Sequence, residues 1–538
     1  MKRFLPAGRN ALLVELDGLE PALALLASLE REPITGVTEI VPAARTLLVH
    51  FDPLVCDAIG LIQTLARRDV SRRLERDGAL VEIPVRYDGE DLPEVARLLD
   101  ITPSEVVRRH TGSAYNVAFT GFAPGFAYLA GGHASFDIPR RASPRTRIPA
   151  GSVGLAGRFS GIYPQASPGG WQLIGTTPLA MWDIDRAPPA LLQPGFRVRF
   201  IDMATLPDEK RAALEQATSS PHPAFAYPKG VEAMTVPALE ILAAGLQTLL
   251  QDAGRHGQAR QGVSASGALD QTALRAANQL VGNVWNEAVL ETIAGGLRLR
   301  SHGATVVAIA GADAPVTLTA AGGAHWEVPC CQPLALNDGD SLLIGQPRAG
   351  VRCYVAVRGG FAVPRVLGSC ATDTLACVGL PPLAAGDVLP VYRVTRGGVV
   401  QPDAPPLDDL PMVDHEVTLD VMLGPRTDWF TPDAVTLLAR QRWRVTPQSN
   451  RVGLRLAGEQ PLTRAIAQEL ASEGTPQGAI QVPANGQPVL FLADHPLTGG
   501  YPVIACVAPH HMDRAGQIPV GAWLRLNVIE SFQPIVLP

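Results

Sequence analysis

Short apolar runs, each stopped by Gly or Pro, recur along the whole chain. Apolar residues at a spacing of two, rich in Val, Ile, Leu and Phe, predict strands at 47–51, 153–156, 198–201, 305–309, 353–357 and 417–423. Gln481-Val482 and the run 489–492 flank Asn485-Gly486, a pair suited to a hairpin turn. Helical spacing is rarer. One helix is expected at 104–110, after Thr102-Pro103. A second is expected at 270–281, where Asp270 can cap the start, Leu274, Ala277 and Val281 share a face, and Gly282 can end it. Many short strands and many turns predict a mainly β protein.

A pattern of Leu, Gly and two alternating apolar residues repeats. It reads Leu192, Gly195, Val198, Phe200, then Leu336, Gly339, Leu342, Ile344, then Leu383, Gly386, Leu389, Val391. It returns with Ile518, Gly521, Leu524, Leu526. A glycine turn feeding an alternating strand explains it. Turn–strand junctions in general look like this, and so would related barrels sharing one device.

The chain has 538 residues, too many for one core, and the expectation is three or four domains. Hydrophobic residues at 46% and charged residues at 18% fit a folded globular protein rather than a disordered one. A net charge of −6 without a basic patch excludes nucleic acid and anionic membranes as natural partners. The apolar stretch 236–250 is broken by Pro237, Glu240 and Gln247, so it does not read as a membrane span, and Met1-Lys2-Arg3 leads into no long apolar run. Seven cysteines without a CxxC suit reduced thiols and a cytoplasmic location. Pro- and Ser-rich sequence marks a linker at 206–236, with lesser boundaries near 78–83 and 401–415.

Standard catalytic signatures are missing. Lys2, Lys210 and Lys229 are the only lysines, none in a P-loop and none flanked by methionine as in a biotin carrier. There is no GxSxG elbow and no HExxH. Phosphate chemistry would therefore fall to arginine and backbone N–H groups. Two regions are dense in suitable residues. The first holds Phe122, Pro124, Gly125, Phe126, Arg140, Arg141, Arg145, Gly151, Ser152, Tyr163, Ser167, Gly169, Gly170 and Trp171. Its arginines can grip a carboxylate or phosphate, and its aromatics can wall a pocket. A Gly/Pro-rich barrel rim with core aromatics accounts for the same pattern. The second region holds Asp252, Arg255, Asp270, Asn278, Asn450, Arg451, Gln481, Asp494, Thr498 and Tyr501. Asp252 and Asp270 suit capping as well as catalysis. His495 and His510-His511 suit proton transfer, or a plain surface role.

At these residues the chain resembles two known families. GFAPGFAYL, PRRASPR, IPAGSVGLAG and YPQASPGGWQLIGTTP resemble the B component of 5-oxoprolinase, a family also called allophanate hydrolase subunit 1 or KipI. From Gly245 onward QDAGRHG, GVSASGALD, AANQLVGN, LETIAGG, SNRVGLRL, GAIQVPANGQPVLFLADHP and TGGYPVIA resemble the C component, also called allophanate hydrolase subunit 2 or KipA. One departure stands out. The family reads Asp-Arg-Gln-Thr-Thr-Gly-Gly-Tyr-Pro where this chain reads Asp494-His495-Pro496-Leu497-Thr498-Gly499-Gly500-Tyr501-Pro502, so no role of that arginine or glutamine carries over.

The resemblance implies tandem cyclophilin-like β-barrels behind a small N-terminal α/β domain. It places that domain at 1–82, a first barrel at 83–205, the linker at 206–236 and a C-like part at 237–538 with two barrel lobes. It implies an ATP-dependent enzyme component that phosphorylates the ring amide of 5-oxoproline, with Mg and with a separate LamB/YcsF-like A component that completes hydrolysis to glutamate. The same domains resemble the carboxyltransferase part of urea carboxylase, which would need a biotin carrier in trans and a urea-like amide. KipI-like proteins also bind and inhibit a sensor kinase, and a homo-oligomer is compatible with each reading. Under the first, Arg140 and Arg145 hold phosphate or carboxylate, and Asp252 or Asp270 serves as base or metal ligand, the metal being unassigned. Arg255 and Asp494 complete the expected catalytic set. Phe122, Pro124, Gly125, Phe126, Gly151, Ser152, Tyr163, Ser167, Gly169, Gly170, Trp171, Asn278, Asn450, Arg451, Gln481, Thr498 and Tyr501 complete the expected substrate-binding set.

Overall fold

The computed structural model describes residues 2–70, 78–141, 143, 145–217, 226–229, 237–393, 400, 401, 403, 404 and 409–535. The fold is mainly β and barrel-based, with a small α/β domain in front, as the sequence leads one to expect. Residues 218–225 and 230–236 of the linker sequence, and part of the boundary at 401–415, lie outside the described residues.

The leading domain is an antiparallel sheet in the order Arg3–Pro6, Ala11–Glu15, Thr46–Phe51, Val37–Pro42, with helices Leu19–Arg31 and Ala58–Arg67. Every residue of Ala11–Glu15 is buried. Strand alternation explains why. Leu12, Val14, Leu47 and Val49 pack with Leu25, Leu29, Leu61 and Leu65 of the helices, whereas Leu5, Leu13, Val41 and Leu48 point the other way, onto Ala259 and Leu497 of the second half. A sheet covered on both faces reads as a continuous apolar run. Glu15 adds an ionic tie: Arg426 reaches both Glu15 and Glu473, all three buried.

The next unit is a seven-stranded sheet in the order Gln172–Thr176, Ser152–Ala156, Phe159–Ile162, Ala127–Ala130, Tyr115–Thr120, Arg197–Asp202, Leu80–Val85. Its last strand in sequence, Arg197–Asp202, pairs parallel with its first, Leu80–Val85. The second half begins with a two-sheet lobe. Leu239, Leu299 and Leu342 of one sheet meet Leu290, Ile309 and Val355 of the other in a single core. Helix Gln271–Leu280 covers the outside of the second sheet, packing on Ala308, Ala310, Tyr354 and Ala356. A closed seven-stranded barrel follows from Glu416–Leu423 to Trp523–Glu530, and these two strands also pair parallel.

The repeated glycine pattern has a common structural meaning. Gly195, Gly339, Gly386 and Gly521 have φ of 88°, 83°, 85° and 91°, which favours glycine, and each leads into a strand. The apolar pair after each glycine is buried. At Gly195 and Gly521 the strand is the one that closes its unit by parallel pairing with the opening strand. All seven cysteines are free thiols. Among the described residues no helix is long and apolar enough to cross a membrane.

Candidate active site

The Gly121–Phe126 turn is shaped by what it docks against. Phe122 and Gly125 have φ of 65° and 75°. A Cβ on Gly121 would lie 2.5 Å from the Thr498 hydroxyl oxygen, and one on Gly262 would lie 2.6 Å from the Ala123 carbonyl oxygen. Only glycine at both positions lets the backbones of the two halves approach this closely. Gly125 N donates to Gln261 O at 3.0 Å, and the Thr120 hydroxyl donates to Arg260 O at 2.6 Å. The Gln165 amide crosses to Leu375 O at 2.9 Å.

These contacts leave a narrow cleft, with a cavity volume of about 10 Å³, lined by Phe122 and Pro124 from the first half and by Gly262, Ser264, Asp373, Leu375, Ala376, His495, Pro496 and Leu497 from the second. Burial lowers the pKa of His495, which favours a neutral ring. Tyr163, buried, stands between Phe122 and a group of arginines. Its ring is 6.2 Å from that of Phe122, and Arg140 and Arg145 act on its hydroxyl electrostatically.

In this group, Arg145 grips Asp91 with both terminal nitrogens at 2.9 Å and also reaches Glu90 at 2.9 Å. Arg141 bonds Asp91 at 2.6 Å. Burial works against ionisation of Asp91, but hydrogen bonds from Arg145 and Leu173 N and the charges of Arg145 and Arg141 hold it below its usual range. Arg140 crosses to the second half, with Nε 2.9 Å from Glu469, and its guanidinium packs on Gly500. Tyr501 stands next to Gly500, with the Arg464 guanidinium 5.8 Å above its ring.

Behind the cleft runs a buried polar chain. Arg451 holds both oxygens of Asp494 at 3.0 Å, bonds Gly267 O at 2.7 Å and reaches Glu291. Asp494 also accepts from Ser266 at 2.7 Å and from the Thr374 N–H and hydroxyl at 2.8 and 2.7 Å. Glu291 accepts from the Tyr354 hydroxyl at 2.9 Å, and that hydroxyl accepts from Asp270 N at 2.9 Å. Burial would raise the Asp494 pKa, but Arg451 keeps it below its ordinary value. Asp373 has the opposite balance: burial, then the charge of Asp494, push its carboxyl up to about 6.

The remaining expected site residues fall into distinct surroundings. Gly151 N bonds Tyr163 O at 2.7 Å and the Ser152 hydroxyl bonds Pro149 O at 2.8 Å, so both shape the loop. Phe126 and Trp171 meet edge to face, 5.3 Å apart, in a buried cluster that also holds Leu23 and Ala43 of the leading domain. Gly169 pairs with Arg145, and Gly170 O accepts from Arg141 N at 2.8 Å. Ser167 and Thr498 are buried with hydroxyls that have no partner among the described residues. Gln481 bonds Tyr501 O at 2.9 Å. Asp252 accepts from Ser369, Cys370 N and Gly254 N at 2.6, 2.7 and 2.9 Å, which ties two loops together. Arg255 is buried and bonds Ala371 O, while its Nε and Nη1 have no partner among the described residues. Asp270 caps its helix through Ala273 N at 2.8 Å and bonds Gln517 at 2.8 Å; burial, then Asp513, push it up to about 7. Asn278 fixes the loop after the helix through Glu287 O at 2.8 Å. Asn450 closes an exposed turn through Val452 N at 2.9 Å. Of the expected site residues the cleft gathers only Phe122 and Pro124; Tyr163, the arginines, Asp252, Asp270, Asn278, Asn450 and Asp494 do not line it. Sequence reasoning missed Asp373, Ser264, Asp91 and Glu291. No local signal marks Asp373, whose place depends on loops far apart in the chain.

Comparison with known proteins now adds to this geometry. Residues 2–192 match the family described as "Carboxyltransferase domain, subdomain C and D", and residues 261–528 match "Carboxyltransferase domain, subdomain A and B". The C component of 5-oxoprolinase from Escherichia coli (strain K12) is 37% identical over 287 residues, 53% of this chain and 88% of that protein. The B component of 5-oxoprolinase from Bacillus subtilis (strain 168) is 42% identical over 202 residues, 35% of this chain and 83% of that protein. The chain belongs to the family of 5-oxoprolinase B and C components, fused in one polypeptide. The crystal structure of TTHA0988 is similar over 96% of this chain and 99% of its own, with a TM-score of 0.79 and 35% identity. The cleft therefore lies between the B-like and C-like halves, and Phe122 and Pro124 are the contribution of the B-like half to it.

Proposed function

We propose that this cleft activates 5-oxoproline for ATP-dependent opening to glutamate, with a separate A component completing the hydrolysis. The observation that carries the reading is the cleft itself: residues from the B-like and the C-like half line one chamber, so the two component types supply one site. The chemistry follows from the substrate. A ring amide is a poor electrophile. Attack of the amide oxygen on the γ-phosphorus of ATP forms an O–P bond, breaks the bond to ADP and releases the N–H proton, which leaves carbon open to water. Catalysis of such a transfer is mostly positioning and charge stabilisation.

The arginine group suits a polyphosphate. Arg140, Arg141 and Arg145 keep side-chain exposures of 29%, 34% and 17%, and would exchange their carboxylate partners for a ligand anion. A dedicated magnesium cage does not fit. Among the described residues the one three-ligand cluster is Asp420, His510 and His511, which does not line the cleft and offers two imidazoles rather than oxygens. Magnesium would arrive on the nucleotide phosphates.

A second reading is favoured by the matching family, described as a carboxyltransferase domain: transfer of a carboxyl group from carboxybiotin on a separate carrier to an amide nitrogen. One assay separates the two. Purified chain is mixed with a 5-oxoprolinase A component and ATP, with and without 5-oxoproline. Phosphate release that depends on 5-oxoproline, together with glutamate, is expected. Silence overturns the first reading in favour of a biotinylated carrier and urea-like amides.

A further inference from the structure

Two buried carboxylates stand together at the cleft, and their surroundings are opposite. Asp494 is fully enclosed and locked by the Arg451 fork, two hydroxyls and a backbone N–H. Asp373 lines the cleft directly and is 1% exposed. One of its oxygens accepts from Leu375 N at 3.0 Å and Ala376 N at 2.8 Å, and the other accepts from the Ser264 hydroxyl at 2.6 Å. Among the described residues it forms no salt bridge. Two neighbouring carboxyl groups whose environments separate their proton affinities are the usual mark of an acid–base assignment.

We propose that Asp373 is the acid–base residue of the cleft and takes the proton from the amide nitrogen of the substrate. The proposal rests on the reading that the cleft binds a small amide, and it names the group that reading requires. When the amide oxygen attacks phosphorus, the nitrogen turns acidic and its proton must leave. When the nitrogen instead attacks a carboxyl carbon and the carboxybiotin C–N bond breaks, the same proton must leave. In both cases it passes to the Asp373 oxygen that Ser264 holds, directly or through that hydroxyl. The two backbone N–H groups on the other oxygen fix the carboxyl plane, which keeps the accepting oxygen in place.

The charged and titratable groups around it are consistent with this role. Asp494 faces it from the loop after strand Val489–Phe491, and burial together with that charge raises its proton affinity. Arg255 acts from the 252–258 loop and moderates the rise. Cys377 lies on the same loop and His495 lines the same cleft, its ring kept neutral by burial. Ser264 bonds the ionised form and opposes the rise.

The test uses the full chain with its A component. Rates of 5-oxoproline-dependent phosphate release are measured from pH 5 to 8.5, and 5-oxoproline binding is followed by calorimetry. The wild-type rate is expected to fall through an acid limb near pH 6, because the base must be ionised. Asp373→Asn is expected to lower kcat by about 10²–10⁴-fold with binding retained and the limb gone. Ser264→Ala removes a bond to the ionised carboxylate, so the limb moves to higher pH. That variant keeps the test decisive if Asp373→Asn fails to fold. Wild-type kcat in Asp373→Asn, or an unmoved limb in Ser264→Ala, overturns the proposal. Absence of 5-oxoproline binding to the wild-type chain overturns the substrate reading, and with it this proposal; binding with unchanged variants overturns the proposal alone.

Discussion

Each half of the chain carries one arginine–carboxylate fork. Arg145 holds Asp91 with both contacts at 2.9 Å, and Arg451 holds Asp494 with both at 3.0 Å. The bonds are alike and the placement is not. Arg145 is 17% exposed and also binds a second carboxylate, Glu90. Arg451 is 3% exposed and Asp494 is 0% exposed, inside a dense hydrogen-bonded network. A partly exposed fork can trade a carboxylate for a ligand anion, whereas a buried one can only hold the fold.

Breaking the buried fork gives the largest effect. Arg451→Ala leaves Asp494 buried without its fork and Glu291 with only Arg352, 3.7 Å away, and is expected to cost about 3–5 kcal/mol. Urea unfolding measures it, and a loss below about 1 kcal/mol would erase the contrast. Arg145→Ala comes next. Asp91 keeps Arg141 and Leu173 N, so the chain stays folded while turnover is lost. Wild-type rates in that variant would remove Arg145 from the site. A third test asks how far the buried network reaches. Asp270 ends the chain of contacts through Tyr354, and its raised pKa means its stabilising contribution is full below the ordinary carboxylate range and lost as pH rises through about 7. The advantage of wild type over Asp270→Asn in melting temperature should therefore shrink from pH 5 to pH 8; a constant difference would contradict it. Glu469→Gln is the mildest change. It frees Arg140 at an exposed pair, so stability should shift by less than about 1 kcal/mol while the chain gains affinity for inorganic phosphate. Unchanged phosphate affinity would argue that Arg140 faces no ligand.

Local features were legible in the sequence. The helix expected at 270–281 is Gln271–Leu280, with Asp270 as its cap, because capping and spacing act within a few residues. The second expected helix is Pro103–Thr111, capped by Thr102. All six expected strands are present, most of them longer than their apolar run. The Gly pattern correctly marked turn–strand junctions, though not that two of them close their units by parallel pairing. Helices Leu19–Arg31 and Pro432–Arg440 went unread, since Gly/Pro punctuation around them looked like β sequence. The motifs of the two families led to the right loops. They did not reveal which charged residues are already paired, because the partners, such as Asp91 for Arg145 and Glu291 for Arg451, lie 54 and 160 positions away. Asp373 was invisible for the same reason: its position depends on the approach of Ser264, 109 residues earlier.

The central claim is that the two halves form one site. A crystal structure of the chain soaked with 5-oxoproline tests it most directly. The account predicts the ring in the cleft, touching Phe122 or Pro124 on one side and Ser264 or Asp373 on the other. A ligand bound wholly within one half, with the cleft unchanged, would contradict it.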